Sequence, residues 1–143
     1  MKWSDMFVYS DDGFLIWRVR PRDHFPTNRS HAIWNARYSG KVAGYFDKRY
    51  GVYTVRLKYP SGAERLIPSH HIIYSMMVKE IPEGMEIDHV DRDRTNNKVS
   101  NLRTCLRIEN CHNMGKNKRN TSGYKGVSWS KVGNSWMAQL RCN

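Results

Sequence analysis

The stretch IDHVDRDRTNNKVSNLRTCLRIEN, Ile87 to Asn110, decides the fold. Met85-Glu86-Ile87 reads as a short strand that delivers Asp88 and His89 side by side. A loop rich in Asp, Arg and Asn follows. Asn101-Leu102-Arg103 reads as a second short strand. Thr104 is a candidate cap for a helix from about Leu106 to Met114. On that helix Asn110 lies one turn past Leu106, with Asn113 on nearly the same face. The order strand, loop, strand, helix lets Asp88, His89 and Asn110 converge.

These residue types are the parts needed to cut a phosphodiester with one divalent metal. Hydrolysis requires a deprotonated water, help for the departing 3′ oxygen and neutralised phosphate charge. Neutral His89 suits the first task, because imidazole titrates near working pH. A hard cation on oxygen ligands suits the other two. Asp88 offers a carboxylate and Asn110 a neutral carbonyl oxygen. Asn101 can hold the loop and orient the imidazole. With one carboxylate the site stays weakly charged, which suits a polyanionic substrate.

The chain has 143 residues and a net charge of +11. The length allows one compact domain or a small domain with appendages. A protein this basic meets nucleic acid first and a membrane surface second. The charge follows the candidate site. Residues 1–91 hold 13 Lys and Arg against 11 Asp and Glu, a net +2; residues 92–143 hold 11 against 2, a net +9. Arg92, Arg94, Lys98, Arg103 and Arg107 bracket the site. Lys116, Lys118, Arg119 and Lys125 continue the track, and phosphate contact is the expectation for all nine.

No run of about 18 apolar residues offers a membrane span. The N-terminal MKWSDMFVYSDDGF lacks the apolar centre of a signal peptide, so a cytoplasmic location is expected. Cys105, Cys111 and Cys142 form no CxxC pair and read as reduced thiols. A zinc site from Cys105, Cys111 and His112 lacks a second pair of ligands.

Upstream, Phe7–Tyr9 and Phe14–Val19 read as a hairpin around Asp12-Gly13. Residues 20–40 read as a long loop with a short helix near Ala32 to Arg37. Further strands are expected at Lys41–Ala43, Tyr53–Leu57 and Ala63–Ile67, with a turn at Pro60-Ser61-Gly62 between the last two. Ser69 is a candidate cap for a helix through Ile72, Ile73, Met76 and Met77. His70 on that helix is a possible accessory to the site, as is Asn113 further on. Downstream, GKNKRNTS reads as a basic linker. Tyr124–Trp129 and Ser135–Arg141 read as a pair of strands, the second alternating Trp136, Ala138 and Leu140 with Met137, Gln139 and Arg141.

IPEGMEIDHVDRDRTNNKVSNLRTCLRIEN resembles the HNH homing-type endonucleases of phages and prophages, through its DH pair, its NN-x-VSNLR stretch and the EN of the following helix. His70-His71-Ile72-Ile73-Tyr74 looks like that family's preceding helix. FVYSDDGFLIWRVRP and the stretch Trp34 to Gly44 look like the N-terminal part of many phage members. The resemblance implies a ββα-metal unit around residues 85–114. It implies His89 as general base, Asp88 and Asn110 as metal ligands, and Asn101 as orienter of loop and base. The ion implied is a divalent one, Mg²⁺ first and Mn²⁺ as alternative. Members bracketed by zinc carry two CxxC pairs, absent here, so structural zinc is not implied. The tail SGYKGVSWSKVGNSWMAQLR resembles the opening strands of an AP2-type DNA-binding domain, without that family's third strand and helix.

The expected architecture is α+β: a β-rich region at 1–68, an HNH core with its leading helix at 69–114, a basic linker at 115–123 and a partial AP2-like hairpin at 124–143. The expected function is metal-dependent hydrolysis of double-stranded DNA by a monomer or weak dimer. The rival is a non-catalytic DNA-binding protein, a regulator or packaging accessory, on the same scaffold.

Overall fold

The computed structural model describes residues 2–59, 61–117 and 119–139. Pro60, Lys118, Leu140, Arg141 and Cys142 lie outside the described residues, and with them the first residue of one expected turn, one basic contact and the end of the last strand. The architecture is α+β, built from short antiparallel strands and three helices.

Strands β1 (Phe7–Ser10) and β2 (Phe14–Trp17) pair in register from Phe7 opposite Trp17 to Ser10 opposite Phe14. Gly13 makes the tight turn at φ +88°, where a side chain would be strained. The chain then runs beside β2, but the strand expected at Lys41–Ala43 is reduced to one bridge between Ile16 and Val42. Gly44 ends this run. At φ +90° its missing Cβ would sit 2.6 Å from the Thr54 carbonyl oxygen, so the chain can turn against β4 only with glycine there. The sheet strand comes after that turn, as β3 (Tyr45–Asp47), which joins β4 (Val52–Lys58) and β5 (Glu64–Pro68).

The region read as a loop with a short helix holds an 11-residue helix, α1 (Asn28–Tyr38). Thr27 caps it: its hydroxyl accepts from the Ser30 backbone N–H, and the Ser30 hydroxyl accepts from the Thr27 N–H. Helix α2 (Ser69–Met77) carries the expected apolar stripe. Ser69 does not cap it, however; it is the first helical residue, and its buried hydroxyl has no partner among the described residues. Ile72 and Ile73 of α2 are fully buried against Phe7, Leu15, Val55, Leu57, Ile87 and Leu102. One core therefore joins the N-terminal strands to the unit that follows.

That unit is β6 (Met85–His89), β7 (Leu102–Leu106) and α3 (Arg107–Asn113). The second strand starts one residue later than expected, because Val99–Asn101 form a 3₁₀ turn. Thr104 lies within β7 opposite Ile87 and caps nothing. The start of α3 is closed instead by Glu109, whose carboxylate accepts from the Leu106 N–H at 2.8 Å. Beyond the linker, β8 (Val127–Ser130) and β9 (Ser135–Ala138) form a separate hairpin with Trp129 against Trp136.

Candidate nuclease site

Strand β6 puts Ile87 in the core and ends on Asp88 and His89, all three buried. They border a cavity of about 260 Å³ with His70, Arg92, Arg94, Asn110 and Asn113. The predicted pair and the asparagines of α3 are thus brought together.

His89 is oriented by a residue the sequence reading passed over. Its Nε2 lies 2.9 Å from Oδ1 of Asn97, which is 1% exposed. A carbonyl oxygen can only accept, so Nε2 is the donor in this contact. Nδ1 has no partner among the described residues and is not sealed from solvent. The ring of His70 packs edge-on against His89 at 4.8 Å. Burial, with His71 and His89 alongside, pushes His70 down to about 3, so it stays neutral near pH 7.

Asn101, expected to orient the base, holds only the loop. Its amide donates to Asp91 Oδ1 at 2.9 Å and to the Asn96 carbonyl at 2.8 Å, and its own oxygen accepts from the Asp91 N–H at 3.0 Å. The Asn96 amide also donates to Asp91 at 2.7 Å, and this bond is the main reason the Asp91 carboxyl lies below the usual range. The hairpin turn underpins the same loop. A Cβ on Gly13 would stand 2.9 Å from the backbone of Asn97 and Lys98, and the Tyr9 hydroxyl accepts from the Val99 N–H at 3.1 Å. The N-terminal hairpin therefore supports the residue that holds His89.

Asp88 faces Arg103 across the sheet, and the register makes them direct partners. The guanidinium donates through Nε and Nη2 to Asp88 Oδ2 at 3.1 and 2.9 Å. Arg103 is thus tied to the acidic member of the site rather than free for phosphate. The Asn113 amide also donates to both Asp88 oxygens, at 3.0 and 2.9 Å, and to the His89 carbonyl at 3.0 Å. Asn113, expected only as an accessory, is the helix residue that touches Asp88. Asn110 lines the cavity one turn earlier, with its amide on Glu86 Oε2 at 2.6 Å.

The donor chemistry suits a hard divalent cation: the carboxylate of Asp88 and the side-chain amides of Asn110 and Asn113 belong to residues that border the cavity. Among the described residues no three His, Cys, Asp or Glu gather into a metal cluster. Such an ion would therefore rely on Asp88, on amide oxygen and on oxygens brought by substrate and water.

The other basic residues divide. Arg92, at φ +68°, donates to Asn113 Oδ1 at 3.2 Å, and Arg94 donates to the Tyr50 carbonyl at 3.1 Å. Lys116 donates to the Gly123 carbonyl. Lys125 closes the end of α3, donating to the carbonyls of Cys111, His112 and Met114 at 2.7–2.9 Å. Lys98, Arg107 and Arg119 make no side-chain hydrogen bond among the described residues. No helix described is long and apolar enough to cross a membrane.

Residues 68–111 match the family model of the HNH endonucleases. Protein 3.8 of Escherichia phage T7 is 44% identical over 70 residues, which are 48% of this chain and 58% of that protein. The fold is similar to a solved structure described as "DNA binding and cleavage by the HNH homing endonuclease I-HmuI", with a TM-score of 0.51 and 20% identity over 76% of this chain and 51% of that one. The chain thus spans little more than half the length of each.

Proposed function

We propose, from the HNH signature in residues 68–111, that this protein is a metal-dependent endonuclease of double-stranded DNA. One observation carries the reading: an imidazole held through Nε2 by buried Asn97, on a residue that lines the same cavity as Asp88. His89 Nδ1 takes the proton of the attacking water. Asn97 keeps the tautomer, and His70 packs the ring in place. Asp88 and the amide oxygen of Asn110 would hold the divalent ion, Mg²⁺ or Mn²⁺; with its nitrogen on Glu86, Asn110 has that oxygen to give. When bound, the ion neutralises charge on the phosphate and on the departing 3′ oxygen. Asn113 steadies Asp88. Lys98, Arg107 and Arg119 contact flanking phosphates, and the hairpin after residue 123 adds an AP2-like surface.

The rival, a DNA binder without catalysis, draws on the Asp88–Arg103 ion pair, which occupies the carboxylate that a metal would need. Incubation with supercoiled plasmid in Mg²⁺ or Mn²⁺, with and without EDTA, separates the two. Metal-dependent nicking or linearisation supports the nuclease; binding with no cleavage in either metal supports the rival.

A further inference from the structure

We propose that a second site, separate from the Asp88–His89 cavity, holds an unpaired nucleotide of a DNA strand, with its base against aromatic rings and its phosphate on Arg20.

The site is a cavity of about 750 Å³ between α1 and the strands β2, β3 and β4, a size suited to such a ligand. At its wall lies Arg20, only 4% exposed. Its guanidinium carbon is 5.9, 4.9 and 5.0 Å from the ring centres of Trp17, Phe25 and Trp34. Its backbone is pinned: Asn35 accepts from the Arg20 N–H at 2.8 Å and donates to its carbonyl at 3.1 Å. The position is therefore built rather than adventitious.

The guanidinium meets aromatic faces but no anion among the described residues. Nε reaches only His24 Nδ1 at 3.4 Å, and no carboxylate pairs with Arg20 among the described residues. Both Nη groups lack a partner there, yet neither is sealed from solvent. A buried, unpaired cation is costly, and an anion delivered through the cavity would offset that cost. No Asp or Glu lines the cavity, while exposed Arg56 adds a second cation and Lys58, paired with Glu64, a third.

Flat surfaces complete the chemistry. Trp34 and Tyr38 lie side by side on α1, with ring centres 5.1 Å apart, and Tyr45 and Tyr59 also line the space. Aromatic rings beside guanidinium groups are the combination that binds single-stranded nucleic acid, the base stacking and the phosphate pairing. A base inside a duplex is already stacked and cannot enter, so the ligand is an unpaired nucleotide.

The test is made in EDTA, where strand cleavage plays no part and the outcome is independent of the nuclease reading. The probes are a single-stranded 12-mer carrying 2-aminopurine, a blunt duplex of the same sequence and free dTMP. Wild-type protein should quench the 2-aminopurine emission on binding. Tyr38→Ala and Tyr45→Ala, at partly exposed positions, should each weaken single-strand binding roughly tenfold and leave duplex affinity within about twofold. Trp34→Ala should abolish the quenching, with a thermal melt to establish that it folds. Unchanged single-strand affinity in both tyrosine variants, or binding without quenching, would overturn the proposal. So would an equal fall in duplex affinity, which would make the patch an ordinary duplex contact. Free dTMP bound as tightly as the 12-mer would overturn the assignment to a DNA strand.

Discussion

Asn97 Oδ1 lies 2.9 Å from His89 Nε2, deep in the molecule, and anchors that edge of the imidazole. Asn97→Ala removes that acceptor and lets the ring choose its tautomer. The cleavage rate should fall about ten- to hundredfold with DNA affinity unchanged, and the lost buried hydrogen bond should cost about 1–3 kcal/mol of stability. Single-turnover cleavage beside a binding titration and thermal melt checks this; full-rate cleavage would show that His89 needs no such partner.

Gly13 acts on the same imidazole from further away. Gly13→Ala places a side chain at φ +88° and 2.9 Å from the Asn97–Lys98 backbone, so it is strained both by conformation and by contact. A loss of about 1–3 kcal/mol is expected, together with slower cleavage as the loop is pushed from His89. Urea unfolding and cleavage kinetics measure the two; a stable variant that also cuts normally would show that the turn does not support the loop.

His70 makes stability depend on pH. Its folded pKa, about 3, lies below the unfolded value of 6.5, so the unfolded chain binds the extra proton between those limits. Above pH 6.5 folding displaces no proton from His70; below it stability falls as pH drops, by up to about 1.4 kcal/mol per unit for one proton. His70→Gln should flatten this slope relative to wild type in urea unfolding at pH 7.5, 6 and 5. An unaltered slope would assign the pH dependence to other groups, His71 and His24 among them.

Asn110 and Asn113 should separate in a metal titration. Asn110→Ala removes a proposed ligand oxygen and should raise the Mg²⁺ concentration for half-maximal cleavage several-fold. Asn113→Ala frees Asp88 and Arg92 and should lower the rate at every Mg²⁺ concentration. Reversed behaviour would exchange their roles.

What the sequence made legible follows from where the information is local. Asp12-Gly13 announced its turn, and the apolar run into Asp88-His89 announced a strand delivering a pair of polar groups. Helix α1 shows little aliphatic periodicity because its face is polar and aromatic, although Thr27 and Ser30 carry a capping signal. Ser69 and Thr104 have cap chemistry, but tertiary pairing placed one inside a helix and the other inside a strand. The partners of His89 and Asp88 were hidden for another reason. Several asparagines crowd the 91–101 loop, and composition cannot say that Asn97 turns inward while Asn101 ties the loop. Likewise the register that sets Arg103 opposite Asp88 depends on how the chain closes across that loop.

The central claim rests on His89 as the base that activates water. The direct measurement is single-turnover cleavage of plasmid by wild type and His89→Ala in Mg²⁺, with DNA affinity measured in parallel. The account predicts at least about a hundredfold loss of rate with affinity nearly unchanged, because affinity comes from Lys and Arg on phosphates. Cleavage by His89→Ala at the wild-type rate would contradict it.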